Sequence, residues 1–578
     1  LVFAFITAFV SAFIINNVFQ ITIGQRLREL ALLRAVGASG RQVRRMITVE
    51  AFVLGVLATV FGVLGGLLVA RGLIAAFDAA GAGFPDTRTV LQLRTVLVAA
   101  FVGIGITMAS VIVPSRRAAK IPPVAAMRPE LGFAAMRSRR LVAGAVVTAI
   151  GVTMFLVGLF VRPGGTAGLI GFAGIGALIL FLGVSSLSST IATPVTRVIG
   201  WPIEKLFKVP GAIARQNVAR APRRTSSSAS ALMIGVALVS STAVFASSLR
   251  SSLVDTLGSA ISADYIVTDS GFQGLSPVVS ETLAEVPELE AVTPIRGISG
   301  QVDGSTKNFG AVDPVAFEKL VDPDLLEGTV ADLGLNELLL HEDPAADLGA
   351  TIGSTVDVTF QNGVEQTLTV AGIYGNSTFG NWLIGLDTLA EVSDAPARDF
   401  FVIAKLADGV DAATGDAAVE AAMEPFPQAK VQTNAEFLDS QEAQINQLLL
   451  IITMLLAFAI LIAILGISIT LALGVFERTR EIGLLRAVGM NKRQIRRSVR
   501  WEAVIVSIFG ALVGIVVGTF LGVILSLAVP DDVISTLAFN PSIIVVILIG
   551  AVIAGLAAAL YPSFKASNMN VLEAIATE

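Results

Sequence analysis

The sequence predicts a polytopic α-helical membrane protein with an α+β extracytoplasmic domain, built as two similar repeats joined by a central helical hairpin. Three observations predict it. Mean hydropathy is +0.79 and only 15% of the 578 residues are charged, too apolar for a soluble globular chain of this length. A stretch near the start, 25–50, returns at 478–502: Arg26/Arg478, Arg28/Arg480, Glu29/Glu481, the LLRAVG run, Arg41-Gln42/Arg493-Gln494, Arg44-Arg45/Arg496-Arg497 and Glu50/Glu502 coincide without a gap, the mark of an internal repeat. Finally, residues 251–442 hold most of the Asp and Glu and few Lys or Arg, while the remainder is basic, so the acidic part belongs outside and the basic loops inside.

The elements follow in order. Residues 1–23 are an apolar run ending at the basic 25–50 segment, so this span passes from outside to inside; it lacks the basic n-region of a signal peptide. Because the chain opens on Leu1 inside a span, it is expected to be an N-terminally incomplete version of something longer, and repeat symmetry gives the missing part as an interfacial segment, one span and a second external domain. Asn16, Asn17 and Gln20 read as interhelical hydrogen-bonding groups, with a substrate contact as the alternative. The second span, 51–70, carries the small-residue ladder Ala58, Gly62, Gly66, which recurs as Gly510, Gly514, Gly518 and predicts close helix packing, or a moving interface. A third span, 95–113, ends at a Pro114-Ser-Arg-Arg-Ala-Ala tail, matched at the C-terminus by Pro562-Ser-Phe-Lys-Ala-Ser.

Residues 141–161 and 168–187 are close enough in sequence to form an antiparallel hairpin. The basic stretch 210–224 reads as a helix lying on an anionic leaflet, or as a juxtamembrane loop. A span at 230–249 leads out to the acidic part, where short alternating runs at 263–268, 355–360, 366–371 and 400–405 predict strands. Gln361-Asn362-Gly363 is a hairpin turn, and 278–286, 314–321 and 412–423 read as helices. The run 448–476 is longer than the hydrocarbon requires. With 503–529 and 543–560 the expected total is nine spans. The resulting domains are 1–130 (first repeat, cytoplasmic segment 25–50), 131–225 (hairpin and interfacial segment), 226–249 (span leading out), 250–445 (extracytoplasmic domain) and 446–578 (second repeat, cytoplasmic segment 477–502).

Within each copy the grammar is helix, break, helix. Gly37 and Gly489 supply the stop, and Ser39/Gln42 and Asn491/Gln494 have capping-box spacing for a short, cationic second helix. Such an element is suited to docking another protein. Without cysteine neither a disulfide framework nor a thiolate metal site or nucleophile is possible, and without a G-x-x-x-x-G-K-[ST] loop the chain cannot hydrolyse ATP by that route. The lone His341 reads as a surface residue, not a metal ligand, and the acidic domain's carboxylates as a solvated surface. Almost uncharged spans disfavour a secondary transporter.

The R-x-R-E-[IL]-[AG]-L-L-R-A-V-G segment between membrane helices, the Pro-x-x-x-Ala-[AS] tail and the external domain inserted in a repeat resemble the ABC transporter permeases typified by FtsX, MacB and LolC/LolE, in the long two-repeat, ten-span form. The resemblance implies two FtsX-like repeats around a MacB-like domain in a bacterial inner membrane, with no enzyme activity or cofactor in this chain; ATP and Mg belong to a partner, a dimeric cytoplasmic ABC ATPase. Its coupling residues would be Arg28, Glu29, Arg34, Gly37, Arg41, Gln42, Arg45 and Arg480, Glu481, Arg486, Gly489, Arg493, Gln494, Arg497; Gly62, Gly66, Gly510, Gly514 and Gly518 would pack helices. The implied partners are that ATPase, membrane lipids and an extracytoplasmic protein, with no nucleic acid. The implied function is export or extraction of a lipid, lipoprotein or peptide by movement of the external domain; the alternative is signalling that activates an extracytoplasmic cell-wall hydrolase.

Overall fold

The computed structural model describes residues 2–79, 91–119, 137–163, 165–269, 274–331, 333–376, 378, 380–393, 398–529 and 533–571. Residues 80–90, between the second and third expected spans, and the tail 120–136 lie outside them. The chain divides into a helical unit (Leu1–Ala246, Leu449–Ala528, Phe539–Glu578) and a β-rich unit (Ser247–Leu448, Val529–Ala538).

The helical unit begins with α1 (Val2–Gln25), the nine-residue α2 (Leu27–Ala35), the 40-residue α3 (Gly40–Ala79) and α4 (Leu93–Ala119). Gln20 donates to Asn16 at 3.1 Å, one turn back in α1, and among the described residues it makes no bond across to another helix. The hairpin pairs α5 (Arg137–Leu156), extended by a π-helical turn Val157–Val161, with α6 (Gly165–Arg220). Glycines alternate across this contact: a Cβ on Gly151, Gly158, Gly176 or Gly183 would sit 2.3, 2.4, 2.5 or 2.4 Å from the facing helix, so only glycine permits such close approach. Among the described residues eight helices are long and apolar enough to cross a membrane; the apolar run of α1 counted apart from these is Ile14–Gly24.

The stretch expected to lie on the leaflet does something else. The chain bends at Lys208 (φ 49°, ψ −120°), ahead of Pro210, and the following segment folds back so that Ala214 and Val218 are buried. They share a cluster with Ile203 of the same helix and with Val504, Ile505 and Phe509 of α15 (Lys492–Leu527). Gly211 makes the bend possible, its missing Cβ leaving room for the Ile203 carbonyl 2.4 Å away. Burying the two apolar residues against protein wins over spreading them on lipid.

After α7 (Pro222–Ala260) the β-rich unit forms one ten-stranded mixed sheet. Its strands are β1 (Tyr265–Asp269), β2 (Leu289–Val302), β3 (Ser305–Val312), β4 (Leu325–Gly328), β5 (Glu337–His341), β6 (Thr355–Phe360), β7 (Glu365–Tyr374), β8 (Trp382–Gly385), β9 (Asp399–Leu406) and β10 (Ala429–Thr433). The order is β10-β1-β9-β2-β3-β8-β5-β7-β4, with β6 pairing β2 and β7. The anticipated β6–β7 hairpin is present, turned by Gly363 at φ 81°. The helices α8 (Pro277–Ala284) and α12 (Ala412–Met423) cover β1 and β9 through Val279, Leu283, Val419 and Met423. The helix α9 (Pro314–Leu320) buries Phe317 and Leu320 against Ile266 and Ile403, the opposite register of the same strands. A second core gathers Phe309, Leu338, Leu340, Phe360 and Trp382 beneath α10 (Glu342–Leu348) and α11 (Leu386–Val392).

Two polar expectations fail in this unit. His341 is 3% exposed: it stands edge-on to Tyr374, its Nε2 is 3.1 Å from the Gly375 carbonyl, and its Nδ1 accepts from the Asp343 N–H to cap α10. Asp399, expected in the solvated surface, is fully buried and holds Arg296 and Ser280 at 2.7 Å each. Both residues spend their polarity on packed backbone and side chains, leaving nothing directed at a ligand.

The chain returns through α13 (Asn434–Glu477), then α14 (Thr479–Ala487), α15, α16 (Pro541–Ala558) and α17 (Leu560–Ser567).

Candidate functional site

Both repeats build the same elbow. In the first, Arg26 (φ −89°, ψ 11°) separates α1 from α2, and Gly37 turns the chain with φ 108° before α3. In the second, Arg478 (φ −106°, ψ 23°) separates α13 from α14, and Gly489 turns it with φ 109° before α15. That backbone region costs glycine little and strains any side chain, which explains why LLRAVG ends on glycine twice.

The short helix is the one before the turn. The cationic stretch after it was expected as a separate helix, but Arg41, Arg44 and Arg45 occupy the first turns of the 40-residue α3, and Lys492, Arg493, Arg496 and Arg497 those of the 36-residue α15. Neither Gly nor Pro intervenes before the apolar run, so nothing stops the helix. Both capping boxes form. The Ser39 N–H donates to Gln42 Oε1 at 2.8 Å and the Gln42 N–H to Ser39 Oγ at 3.3 Å; the Asn491 and Gln494 counterparts are both 2.9 Å. Gln42 and Gln494 thus face their own backbone.

Two further ties recur. Arg34 donates to the Ala119 carbonyl at the end of α4 at 3.2 Å, and Arg486 to the Met569 carbonyl just beyond α17. Each brings a cation to carbonyls at a helix C-terminus, where it is favoured. So the arginine inside LLRAVG binds the elbow to the third helix of its repeat and does not project outward. The other tie closes the elbow itself: Arg26 meets Glu50 at 3.1 Å, and Arg478 meets Glu502 with two bonds of 2.9 Å.

Here the repeats diverge. Glu502 also accepts from Arg224 of α7 at 3.1 Å, and its side chain is only 4% exposed; Glu50 is 38% exposed. The Arg26/Arg478 and Glu50/Glu502 matches were visible in the repeat, but their pairing was not, since 24 residues and a turn separate the partners.

The outward face is what remains. Glu29, Arg41, Arg45, Arg480, Glu481, Arg493 and Arg497 are exposed, and among the described residues neither Glu29 nor Glu481 has a side-chain hydrogen bond or ion pair. Arg28 lies in α2, its side chain outside the described set. Unforeseen from the charges is an apolar knob beside them: Leu32, Leu33 and Val36 are 57, 48 and 90% exposed, and Leu484, Leu485 and Val488 are 59, 38 and 83% exposed. Apolar side chains on a charged turn, repeated in register, fit a protein-docking surface. Among the described residues no three acidic or histidine side chains cluster as for a metal.

The glycine ladders also diverge. A Cβ on Gly510, Gly514 or Gly518 would meet the α7 carbonyls of Ala229, Met233 and Ala237 at 2.8, 2.7 and 2.2 Å. Gly62 and Gly66, expected to pack likewise, meet nothing within 4 Å among the described residues.

Residues 1–123 and 453–571 match the FtsX-like permease C-terminal family, and 225–422 the MacB-like periplasmic core domain. An uncharacterized ABC transporter permease protein of Mycobacterium tuberculosis is 22% identical over 99% of this chain and 69% of its own length. The ABC transporter permease YtrF of Bacillus subtilis is 33% identical over 21% of this chain, and the macrolide export ATP-binding/permease protein MacB of Agrobacterium fabrum 26% over 31%; the chain spans less than a third of either. The periplasmic region of MacB from Actinobacillus actinomycetemcomitans aligns with 33% of this chain and 97% of its own at 15% identity and a TM-score of 0.27.

Proposed function

Because the chain is an ABC transporter permease of the FtsX-like and MacB-like type, multi-pass with an extracytoplasmic domain, we propose that its two elbows seat a separate, dimeric cytoplasmic ATPase. The ATPase supplies ATP and Mg; this chain supplies the docking faces and the helices that carry motion outward. One observation carries the reading: the same exposed carboxylate and apolar knob recur on α2 and α14, while the same internal ties hold each elbow to its own repeat. A docked surface must be exposed, and its mount must be stiff. The elbow satisfies both.

The output follows from helix length. At 1.5 Å per residue the 44-residue α13 is about 66 Å long, roughly twice a bilayer's hydrocarbon thickness, and it runs directly on from strand β10. ATPase closure shifts the permease only insofar as the ATPase contacts its two states differently. The work delivered is export or extraction of a lipid, lipoprotein or peptide at the outer face. Charge reversal of Glu29 and Glu481 together tests the docking: the double variant should reach the membrane normally and lose its co-purifying ATPase. Normal ATPase recovery would refute it. Release of labelled lipid or lipoprotein from ATPase-bearing proteoliposomes then separates transport from signalling; a trapped hydrolase without release overturns the transport reading.

A further inference from the structure

One edge of strand β2 is interrupted. Its β3 edge is paired without a break from Arg296 to Val302, but on the opposite edge β9 pairs only as far as Arg296 and β6 begins at Gly300, so among the described residues 297–299 have no strand partner there. The interruption has a local cause. Ile295 faces Phe401 and Arg296 faces Asp399, which leaves Phe400 as one residue too many in β9, a bulge that turns its side chain out of the ladder. The buried Asp399, paired with Arg296 at 2.7 Å, fixes that end of β9. Phe400 is 57% exposed, the one exposed aromatic side chain of the β-rich unit among the described residues. Its ring covers Gly297, where a Cβ would stand 2.5 Å from it. The gap opens into a cavity of about 500 Å³, lined by Ile298 and Phe309 from one face of the sheet and by Ser299 and Asn308 from the other, with Asn362 beyond the end of β6. No charged side chain among the described residues lines it.

We propose that this notch binds an extended peptide segment of neutral residues, added to β2 as a short strand, and that the segment belongs to the cargo; the second half rests on the export reading above. In an antiparallel strand each residue turns its N–H and C=O to one edge and the next residue turns them to the other, so at least one of 297–299 offers both groups to the gap. Main-chain groups of this kind recognise a peptide backbone whatever its sequence. Phe400 adds an apolar contact for one side chain, and the neutral lining leaves a charged side chain without a partner, which selects against it. At about 3.3 Å per residue the gap takes three residues, fewer than the five or six of an ordinary strand. So short an edge suits a loose segment that is later let go, not the strand of a folded partner.

The probe is acetyl-Ser-Val-Phe-Val-Ser-amide with a fluorescent label, titrated by polarisation against the full chain in lipid nanodiscs without ATPase, with empty nanodiscs as the blank. Saturable binding is expected, weakened at least tenfold by Phe400→Ala and lost in Asn308→Trp, which fills the cavity. Both side chains are exposed, so the proteolysis midpoint of residues 250–445 should not move. Methylating the three central main-chain nitrogens of the peptide removes its strand donors and should also weaken binding at least tenfold. Equal binding of the methylated peptide, or an unchanged affinity in Phe400→Ala, would overturn the proposal, as would no saturation up to about 1 mM. Equal competition by a neutral hexasaccharide would make the notch a sugar site and overturn it too. With the ATPase present, ATP should change the bound fraction at least threefold. Binding that ATP leaves unchanged, in a complex whose ATPase co-purifies normally, would overturn the cargo assignment while the elbow docking stands.

Discussion

Glu502→Gln and Glu50→Gln are the same change at equivalent positions, and the structure predicts different costs. Glu502 binds Arg478 through two bonds of 2.9 Å and Arg224 through one of 3.1 Å, with side chains 4, 17 and 24% exposed. Removing its charge leaves two half-buried guanidinium groups facing a neutral amide. Breaking a buried pair from one side costs about 3–5 kcal/mol, and the amide's remaining hydrogen bonds put the expected value near the lower end, about 3 kcal/mol, or roughly a hundredfold in the folding equilibrium. The Arg26–Glu50 pair is 48 and 38% exposed, a setting in which ion pairs contribute about 0–1 kcal/mol. The assay is an SDS titration of the full chain in detergent micelles followed by tryptophan emission, with Trp201 and Trp382 replaced by Phe in parent and variants alike; the remaining Trp501 adjoins Glu502 and packs on Phe207 with ring centroids 4.2 Å apart, so it reports this corner. Glu502→Gln should lower the midpoint markedly while Glu50→Gln stays within about 1 kcal/mol of the parent. Arg478→Gln combined with Glu502→Gln should cost clearly less than the sum of the singles. Equal shifts for the two glutamates, or additivity in the pair, would refute the picture of a buried lock in one repeat only.

Gly518→Ala should destabilise the second repeat by about 1–3 kcal/mol, because its methyl would stand 2.2 Å from the Ala237 carbonyl, whereas Gly66→Ala should be neutral or stabilising in the same titration. Val36→Asp and Val488→Asp together should weaken ATPase co-purification at least tenfold while leaving the SDS midpoint unchanged, since both side chains are over 80% exposed. His341→Ala should cost the extracytoplasmic domain about 2 kcal/mol or more, from the lost α10 cap and a buried cavity beside Tyr374, read as earlier proteolysis of residues 250–445 on heating.

The sequence by itself determined the class, the repeat and the elbow. Hydropathy runs are one-dimensional, and so are a gap-free match and a glycine closing LLRAVG, so each is legible without knowing what touches what. Even the capping boxes were readable, because their partners lie three residues apart. Only the tertiary structure decided where the charges and glycines point. Arg34 and Arg486 turn inward to carbonyls 85 and 83 residues away, and Arg224 reaches Glu502 across 278. His341 is buried by strands whose pairing no local pattern fixes. The corresponding small-residue ladders of α15 and α3 differ because the first lies against α7 and the second meets nothing among the described residues; whether a glycine stripe is a contact depends on the helix beside it, which its own sequence does not contain.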